Sequence, residues 1–546
     1  MSPVVHFLLP EGPQRAGRTV YRPVLPRGVL QVARAAEAAG WQAAVLDGYS
    51  APHLLPAYLQ LLRQSDAAGV GAEMEFPDLV GISVHGPPSI GPALAIAAQF
   101  REIQPSLPLL FGGQLANADA DLLLPLLPER SILFCGDGDT AIAEVLQKTL
   151  QTTGGARIIR MPGIVPWHSQ PDLNLLLPHY AAYFGEPDFE YHLETQIGCP
   201  YRCFHCGTGR QGLYATTKNR PIDSILAELD QIRSWAQQAN LPLPSLWITD
   251  ETFGSDPDHA RQFCDALIER GEAWRWRAQS RADVISEAMS ELMRKAGCQR
   301  LAFGVEIPND TGLDLLGKRE GMKDVREAFA ISRRAGISPE AIIVVGTPGD
   351  STSPEQFLDA LNSIGAASVQ SYIYHPIPGS PWWSRYGASL LAQSDITFNW
   401  SRLDFHSPSL NGPAEEIERA IVSFLALSLW RPGLDGVTHI PKESTGWEEV
   451  FCELCGSKTR FDVLFMHTAT RISVARYRLD GKIYYTATDG GESAQVLEFD
   501  PSQHRNLYCG LSSVSRQALS FACPRCLAGE AEVESSNTLA SSAHSL

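Results

Sequence analysis

The residues best suited to chemistry in this chain are cysteines, and they are grouped. Seven of the 11 fall into three tight sets: Cys199, Cys203 and Cys206, then Cys452 and Cys455, then Cys523 and Cys526. A disulfide framework would spread them along the chain, whereas such grouping in a reducing compartment points to metal. The first set lies in Gly198-Cys199-Pro200-Tyr201-Arg202-Cys203-Phe204-His205-Cys206-Gly207, directly after a run that reads as a strand. Three thiolates within one turn-like loop can hold three corners of an iron–sulfur cube and leave the fourth iron open to a substrate group. The alternative is a zinc knuckle that recruits a distant fourth ligand, although zinc sites usually pair two Cys-x2-Cys units. Cys452/Cys455 and Cys523/Cys526 are two such units about 70 residues apart, which predicts a structural zinc ribbon, with a second iron–sulfur cluster as the alternative. Cys135 reads as a buried strand cysteine and Cys509 as a free or core thiol.

Two stretches of alternating strands and helices must position these groups. In residues 1–150, strands are expected at Val4–Leu9, Ala43–Leu46, Leu79–Val84, Leu107–Phe111 and Ile132–Cys135, separated by helical patterns. That alternation predicts a parallel, doubly wound sheet whose ligands sit at the carboxyl ends of its strands. The loops there are Asp47-Gly48-Tyr49, His85-Gly86-Pro87-Pro88, Gly112-Gly113-Gln114 and Gly136-Asp137-Gly138-Asp139. Residues 151–188 lose the pattern and read as a linker. A second α/β run, residues 189–430, carries six candidate strands, at Tyr191–Gln196, Ser245–Thr249, Arg275–Gln279, Arg300–Val305, Ser338–Val345 and Ser368–Tyr374. Six strand–helix units predict a partial or full barrel with its chemistry at the strand C-termini. Residues 445–529 are expected to form a small β-rich domain, with a hairpin of Arg471–Arg478 and Lys482–Thr488 around Asp480-Gly481, and 530–546 a disordered acidic, Ser-rich tail.

Composition narrows the partners. At 546 residues the chain should hold roughly three or four domains. The 44 basic and 61 acidic side chains leave a formal charge of −17, with no Lys/Arg surplus in any third of the chain, which argues against a nucleic-acid partner. No apolar run approaches the roughly 20 residues of a membrane span. Met1–Pro10 lacks the basic start of a signal peptide, so a cytoplasmic protein with no membrane partner is expected.

The cysteine loop resembles the signature of the radical S-adenosylmethionine (SAM) enzymes, and further pieces follow in the family's order. They are Thr249-Asp250-Glu251-Thr252-Phe253, Arg281-Ala282-Asp283, Phe303-Gly304-Val305-Glu306, Val345-Gly346-Thr347-Pro348-Gly349 and Tyr374-His375-Pro376-Ile377-Pro378-Gly379-Ser380-Pro381. The resemblance implies a [4Fe–4S] cluster on Cys199, Cys203 and Cys206, catalytic roles for Glu306 and Asp250, and SAM contacts from Arg281 and Glu306. His205 departs from the aromatic residue often found before the third cysteine, which leaves it either packing the adenine differently or facing solvent. Trp382-Trp383 is expected to pack the barrel's end or to line a substrate pocket.

The N-terminal stretch resembles the cobalamin-binding domain that accompanies this barrel, through Val80-Gly81-Ile82-Ser83-Val84, Leu110-Phe111-Gly112-Gly113 and Cys135-Gly136-Asp137-Gly138-Asp139. It implies cobalamin contacts from Ser83, Gly112, Gly113, Gly136, Asp137 and Gly138. The Asp-x-His-x-x-Gly motif is absent, since Tyr49 stands where its histidine would be, so the lower cobalt ligand stays open. A flavodoxin-like domain without corrinoid is the alternative. Together the resemblances imply a cobalamin-dependent radical SAM enzyme, most often a methyltransferase acting on carbon or phosphorus of a small metabolite or peptide. An electron donor such as flavodoxin or ferredoxin is implied with it. The alternatives are a cobalamin-assisted radical cyclisation, rearrangement or oxidation without methyl transfer, and a non-catalytic cobalamin or redox sensor.

Overall fold

The computed structural model describes residues 2–10, 14–15, 18–19, 26–48, 54–68, 76–86, 89–161, 189–208, 215–387 and 414–429, and strand residues 448–451, 458–467, 472–479, 482–488, 493–499, 507–508 and 514–515. Tyr49, Pro87, Pro88, Cys509, most of the expected linker, the tail and all four C-terminal paired cysteines lie outside the described residues. Among the described residues no helix is long and apolar enough to cross a membrane.

The N-terminal sheet has six parallel strands: β1 (Val4–Leu9), β2 (Gln42–Asp47), β3 (Leu79–Ser83), β4 (Leu109–Gly112), β5 (Ser131–Cys135) and β6 (Arg157–Arg160). Their order is β2-β1-β3-β4-β5-β6. Both faces are covered, and the two-residue period of the strands divides the core between them. Leu8, Val80, Ile82, Leu109, Phe111 and Leu133 pack under helices Leu54–Ala68 and Ile90–Ile103. Val5, Phe7, Leu79, Leu110, Ile132 and Phe134 pack under helices Arg27–Ala38 and Gly138–Leu150. Gly81 faces Phe7, whose ring occupies the place a β-carbon would take. Cys135 is a core thiol as expected, its Sγ 3.1 Å from the Ala116 carbonyl.

One element was not legible. The sheet extends through Arg157–Arg160, inside the stretch that sequence assigns to the linker, and pairs with β5. Its sequence, Arg-Ile-Ile-Arg, has only two apolar residues between charges, as suits an edge strand.

The second parallel sheet begins with β7 (Glu190–Leu193), β8 (Ser245–Ile248), β9 (Trp276–Ser280) and β10 (Cys298–Glu306), each followed by helix on the way to the next. Strand β11 (Ser338–Val345) adjoins β10, and β12 (Ser368–Ile373) adjoins β11. Charges link the strand starts: Glu190 pairs with Arg277 at 2.6 Å and Arg300 at 2.7 Å, and Arg300 reaches Glu340 at 3.3 Å. The Arg277 guanidinium also lies 3.8 Å from the centre of the Trp247 ring.

The chain forms two compact units. One comprises residues 1–342, 364–367 and 376–404, and so contains the N-terminal sheet together with β7 to β10. The other comprises 343–363, 368–375 and 405–546. In the second, helix Ala414–Leu429 packs against β12 and against strands Ile472–Leu479 and Lys482–Thr488. Those two strands pair antiparallel as the expected hairpin, within a seven-stranded antiparallel sheet. Residues 420–427 of the helix are buried, and its contacts group the barrel's last strand with the C-terminal sheet.

Within the first unit, one buried carboxylate joins the N-terminal sheet to the barrel. Glu228, on helix Ile222–Gln238, is fully buried and receives Arg27 Nη2 at 2.7 Å, Arg220 Nη1 at 2.6 Å and the Tyr191 hydroxyl at 2.6 Å. Arg27 also donates to Glu194 at 3.1 Å. Burial alone would raise the Glu228 carboxyl, but Arg27 first, then Arg220 and Tyr191, hold it down at about 2. The folded chain therefore binds fewer protons here than the unfolded chain, so the stabilisation is present above the ordinary carboxyl pKa and fades as pH falls toward 2. Arg27→Met, which leaves the charge of Glu228 short of a partner, should cost about 3–5 kcal/mol in denaturant unfolding at neutral pH. The difference from wild type should narrow on acidification through pH 4 to 2. An unchanged unfolding midpoint would contradict this role.

Candidate functional site

The cysteine loop is launched from a fixed backbone. Between β7 and Cys199 the chain forms a two-residue antiparallel ladder, Gln196 opposite Asn219 and Ile197 opposite Lys218, which closes the base of the loop. Asp250, just past β8, accepts from Thr195 N at 2.7 Å, Thr195 Oγ1 at 2.5 Å and Gln196 N at 3.1 Å. Burial pushes its carboxyl up to about 7, against the pull of those three donors. Glu251 accepts from Gly198 N at 2.9 Å, and burial likewise pushes it up to about 7. Gly198 itself has φ +85°, the left-handed turn into the loop. Thr252 Oγ1 lies 3.6 Å from Cys199 Sγ, and its carbonyl accepts from Gln196 Nε2 at 2.7 Å. Thr249-Asp250-Glu251-Thr252 is thus a clamp on the loop's first limb, and Asp250 acts on backbone rather than facing open space.

The second cysteine meets a chain of buried charges. Arg281, the residue after β9, has Nη1 3.8 Å from Cys203 Sγ and its guanidinium 4.0 Å from the centre of the Tyr201 ring. It pairs with Asp283 at 2.9 Å and Glu320 at 3.6 Å. Glu320 in turn pairs with Lys318 at 2.8 Å, and Lys318 with Glu306 at 3.4 Å. All four of Arg281, Glu320, Lys318 and Glu306 are buried. Glu306 ends β10 with φ +58°, a conformation that costs a non-glycine residue and persists only where its surroundings impose it. Gly304 permits the approach, because a β-carbon there would lie 2.5 Å from Glu306 Oε1. Lys318 also donates to the Gly304 carbonyl.

Cys206 closes a turn on Cys203, its N–H reaching the Cys203 carbonyl at 3.4 Å. All three thiols are half-buried, and burial pushes each one up, so they would ionise only with a cation to bind. His205 does not simply face solvent: it is half-buried, with Nδ1 shielded and without a hydrogen-bond partner. Among the described residues no three His, Cys, Asp or Glu side chains converge closely enough to hold a single metal ion. Three thiols on one loop are the donor set that a cube with one open iron takes from protein.

In the N-terminal domain, Ser83, Gly112 and Gly136–Gly138 stand at the carboxyl ends of β3, β4 and β5. Gly113 has φ +121°, and a β-carbon there would lie 2.6 Å from the Val84 carbonyl. Gly136 and Gly138 make room for Phe134 and Val32, so their glycine character follows from packing within the domain. Asp47 and His85, at the ends of β2 and β3, lie within electrostatic reach of each other. His375 is buried. The residues that sequence reading missed are Lys318 and Glu320 at the site and Arg27 and Glu228 behind it. Gly317-Lys318-Arg319-Glu320-Gly321, charges confined between two glycines, was the available signal for the first pair.

Lys318→Met would leave Glu306 and Glu320 buried without their shared cation and should destabilise the protein by about 3–5 kcal/mol. Lys318→Met combined with Glu320→Met should recover much of that loss, because it removes a buried charge as well as its partner. Denaturant unfolding of both variants checks this, and a single variant as stable as wild type would contradict it.

Comparison with known proteins matches the same two regions. The radical SAM superfamily model matches residues 193–361 and the B12 binding domain model residues 15–146. An uncharacterised methyltransferase of Pyrococcus horikoshii is 21% identical over 209 residues, 38% of this chain and 44% of that protein. The anaerobic magnesium-protoporphyrin IX monomethyl ester cyclase of Synechocystis is 23% identical over 330 residues, 57% of this chain and 64% of that protein. The chain thus spans 44% and 64% of the length of these two curated relatives. The radical SAM methyltransferase TsrM from Kitasatospora setae, solved with cobalamin and a [4Fe–4S] cluster, shares the fold. Its TM-score is 0.56 at 17% identity, over 76% of this chain and 82% of that one. Residues 193–361 thus carry a radical SAM domain, which implies a [4Fe–4S] cluster and SAM, and residues 15–146 a B12 binding domain, which implies cobalamin.

Proposed function

We propose that the chain is a cobalamin-dependent radical SAM methyltransferase acting on an unactivated carbon, or a phosphorus, of a small metabolite or peptide. The observation that carries this reading is the site's layout. Three thiols share one loop beside a buried Arg281–Glu320–Lys318–Glu306 chain, in the same compact unit as the B12 binding domain. When bound, the cluster and SAM supply a radical able to take hydrogen from carbon, and cobalamin supplies the methyl group.

The chain's own residues do the rest. Cys199, Cys203 and Cys206 hold the cluster, and Thr252 and Arg281 offer hydrogen bonds to two of its sulfur ligands. Asp250 and Glu251 fix the loop from below, as positioning residues. Glu306 as acceptor and Lys318 as donor complement the amino and carboxylate groups of an amino-acid head such as that of SAM. Ser83, Gly112, Gly113 and Gly136 to Gly138 border the corrinoid. The electron comes from a flavodoxin- or ferredoxin-like donor, and the protein works in the cytoplasm. Cys452, Cys455, Cys523 and Cys526 bind a structural zinc, with a second cluster as the alternative.

The cyclase among the relatives favours one second reading, radical ring formation without methyl transfer. Products separate the two. Reduced, reconstituted protein given SAM and candidate substrates should release 5′-deoxyadenosine together with S-adenosylhomocysteine. 5′-Deoxyadenosine alone would favour the second reading, and neither product would contradict both. Cys203→Ala should lower both products by about a hundredfold or more, to background.

A further inference from the structure

We propose that residues 380–387 form a strap that fixes the cysteine loop against the B12 binding domain, with Trp382 and Trp383 as its positioning residues. The two indoles are adjacent in sequence, yet each belongs to a different contact. Trp382 donates its backbone N–H to the Phe204 carbonyl at 3.3 Å, and its ring centre lies 6.5 Å from that of His205. Trp383 donates Nε1–H to Asp119 Oδ2 at 2.8 Å, across 264 residues of sequence. The other oxygen of Asp119 caps the helix Ala120–Leu123, accepting from Leu122 N at 3.1 Å. Asp119 also closes the short helix that leads out of Gly112-Gly113, its N–H reaching the Leu115 carbonyl at 2.9 Å.

The strap is stiff. Buried Ser380 accepts from Trp383 N through Oγ at 3.0 Å, and its carbonyl accepts from Ser384 N at 3.2 Å. Gly387 lets the backbone close on the Trp383 ring, since a β-carbon there would lie 2.5 Å from it. Both indoles are buried, and all these residues belong to one compact unit. Adjacent α-carbons cannot part by more than about 3.8 Å. Phe204, between two of the thiols, and Asp119, beside the strand ends of the other domain, are therefore tied at a short, fixed span. For a reaction that joins groups held by the two domains, this tie sets alignment, and small misplacements there cost rate steeply. That consequence rests on the proposed function, whereas the tie itself does not.

Hydrogen exchange on the full chain reads the tie without cofactors. Asp119→Ser keeps an N-cap but cannot reach Trp383, and Trp383→Phe removes the N–H together with the packing of the pyrrole ring. Each variant should raise amide exchange across residues 203–206 about tenfold, the worth of one hydrogen bond to a charged group. The double variant should add nothing further, as expected of one shared contact. Unchanged exchange at 203–206, or effects that add, would overturn the strap. In the loaded protein, magnetic coupling between cobalt(II) and the reduced cluster should broaden in both variants at unchanged iron and cobalt content. Unaltered coupling would also overturn it. Wild-type protein that takes up no cobalt would instead overturn the functional reading and leave the exchange result standing.

Discussion

Asp250 carries the constraint on which the site depends. A parallel barrel delivers its loops at the carboxyl ends of strands, but a loop that carries three thiols must also start in a defined direction. A carboxylate placed just past β8 binds two successive backbone N–H groups and a hydroxyl just past β7. It turns the neighbouring strand's end into a template for the first limb of the cysteine loop. Hydrogen bonds to a charged acceptor are worth about 1.5–3 kcal/mol each, enough for three to offset much of the cost of burying it. Glu251 and Thr252 extend the same clamp to Gly198 and Cys199.

Charge does the remaining positioning, and it does so in buried chains rather than on the surface. Arg281, Glu320, Lys318 and Glu306 alternate in sign from Cys203 to the end of β10. Arg27, Glu228 and Arg220 do the same where the B12 binding domain meets the barrel. Such chains are poor sources of net stability, since the desolvation of each ion opposes the attraction. Their value is geometric. Each group has one arrangement that satisfies it, so the loops they join have one arrangement too.

The parallel strands, the cysteine loop and the positions of Asp250 and Glu306 were legible in the sequence because each rests on local information. Val4–Leu9 and Leu79–Ser83 announce themselves by β-branched and apolar runs. The three cysteines announce themselves by spacing alone. Glu228 and Lys318 were not legible, because a charged residue that will be buried looks like one that will be solvated until its partner is known. For Glu228 that partner, Arg27, lies 201 residues away. Arg157–Arg160 failed for a related reason: an edge strand needs few apolar residues. Glu251, directly beside Asp250, could have been read as a second anchor for the loop.

On the proposed function, a single chain should bring a cluster on Cys199, Cys203 and Cys206 together with a corrinoid on the N-terminal domain. Elemental analysis with an absorption spectrum, on anaerobically purified and reconstituted protein, tests it most directly. The account predicts about four iron atoms per chain for that cluster and about one cobalt, with the iron lost in Cys203→Ala and the cobalt retained. Iron without cobalt, even after cobalamin is added, would contradict it.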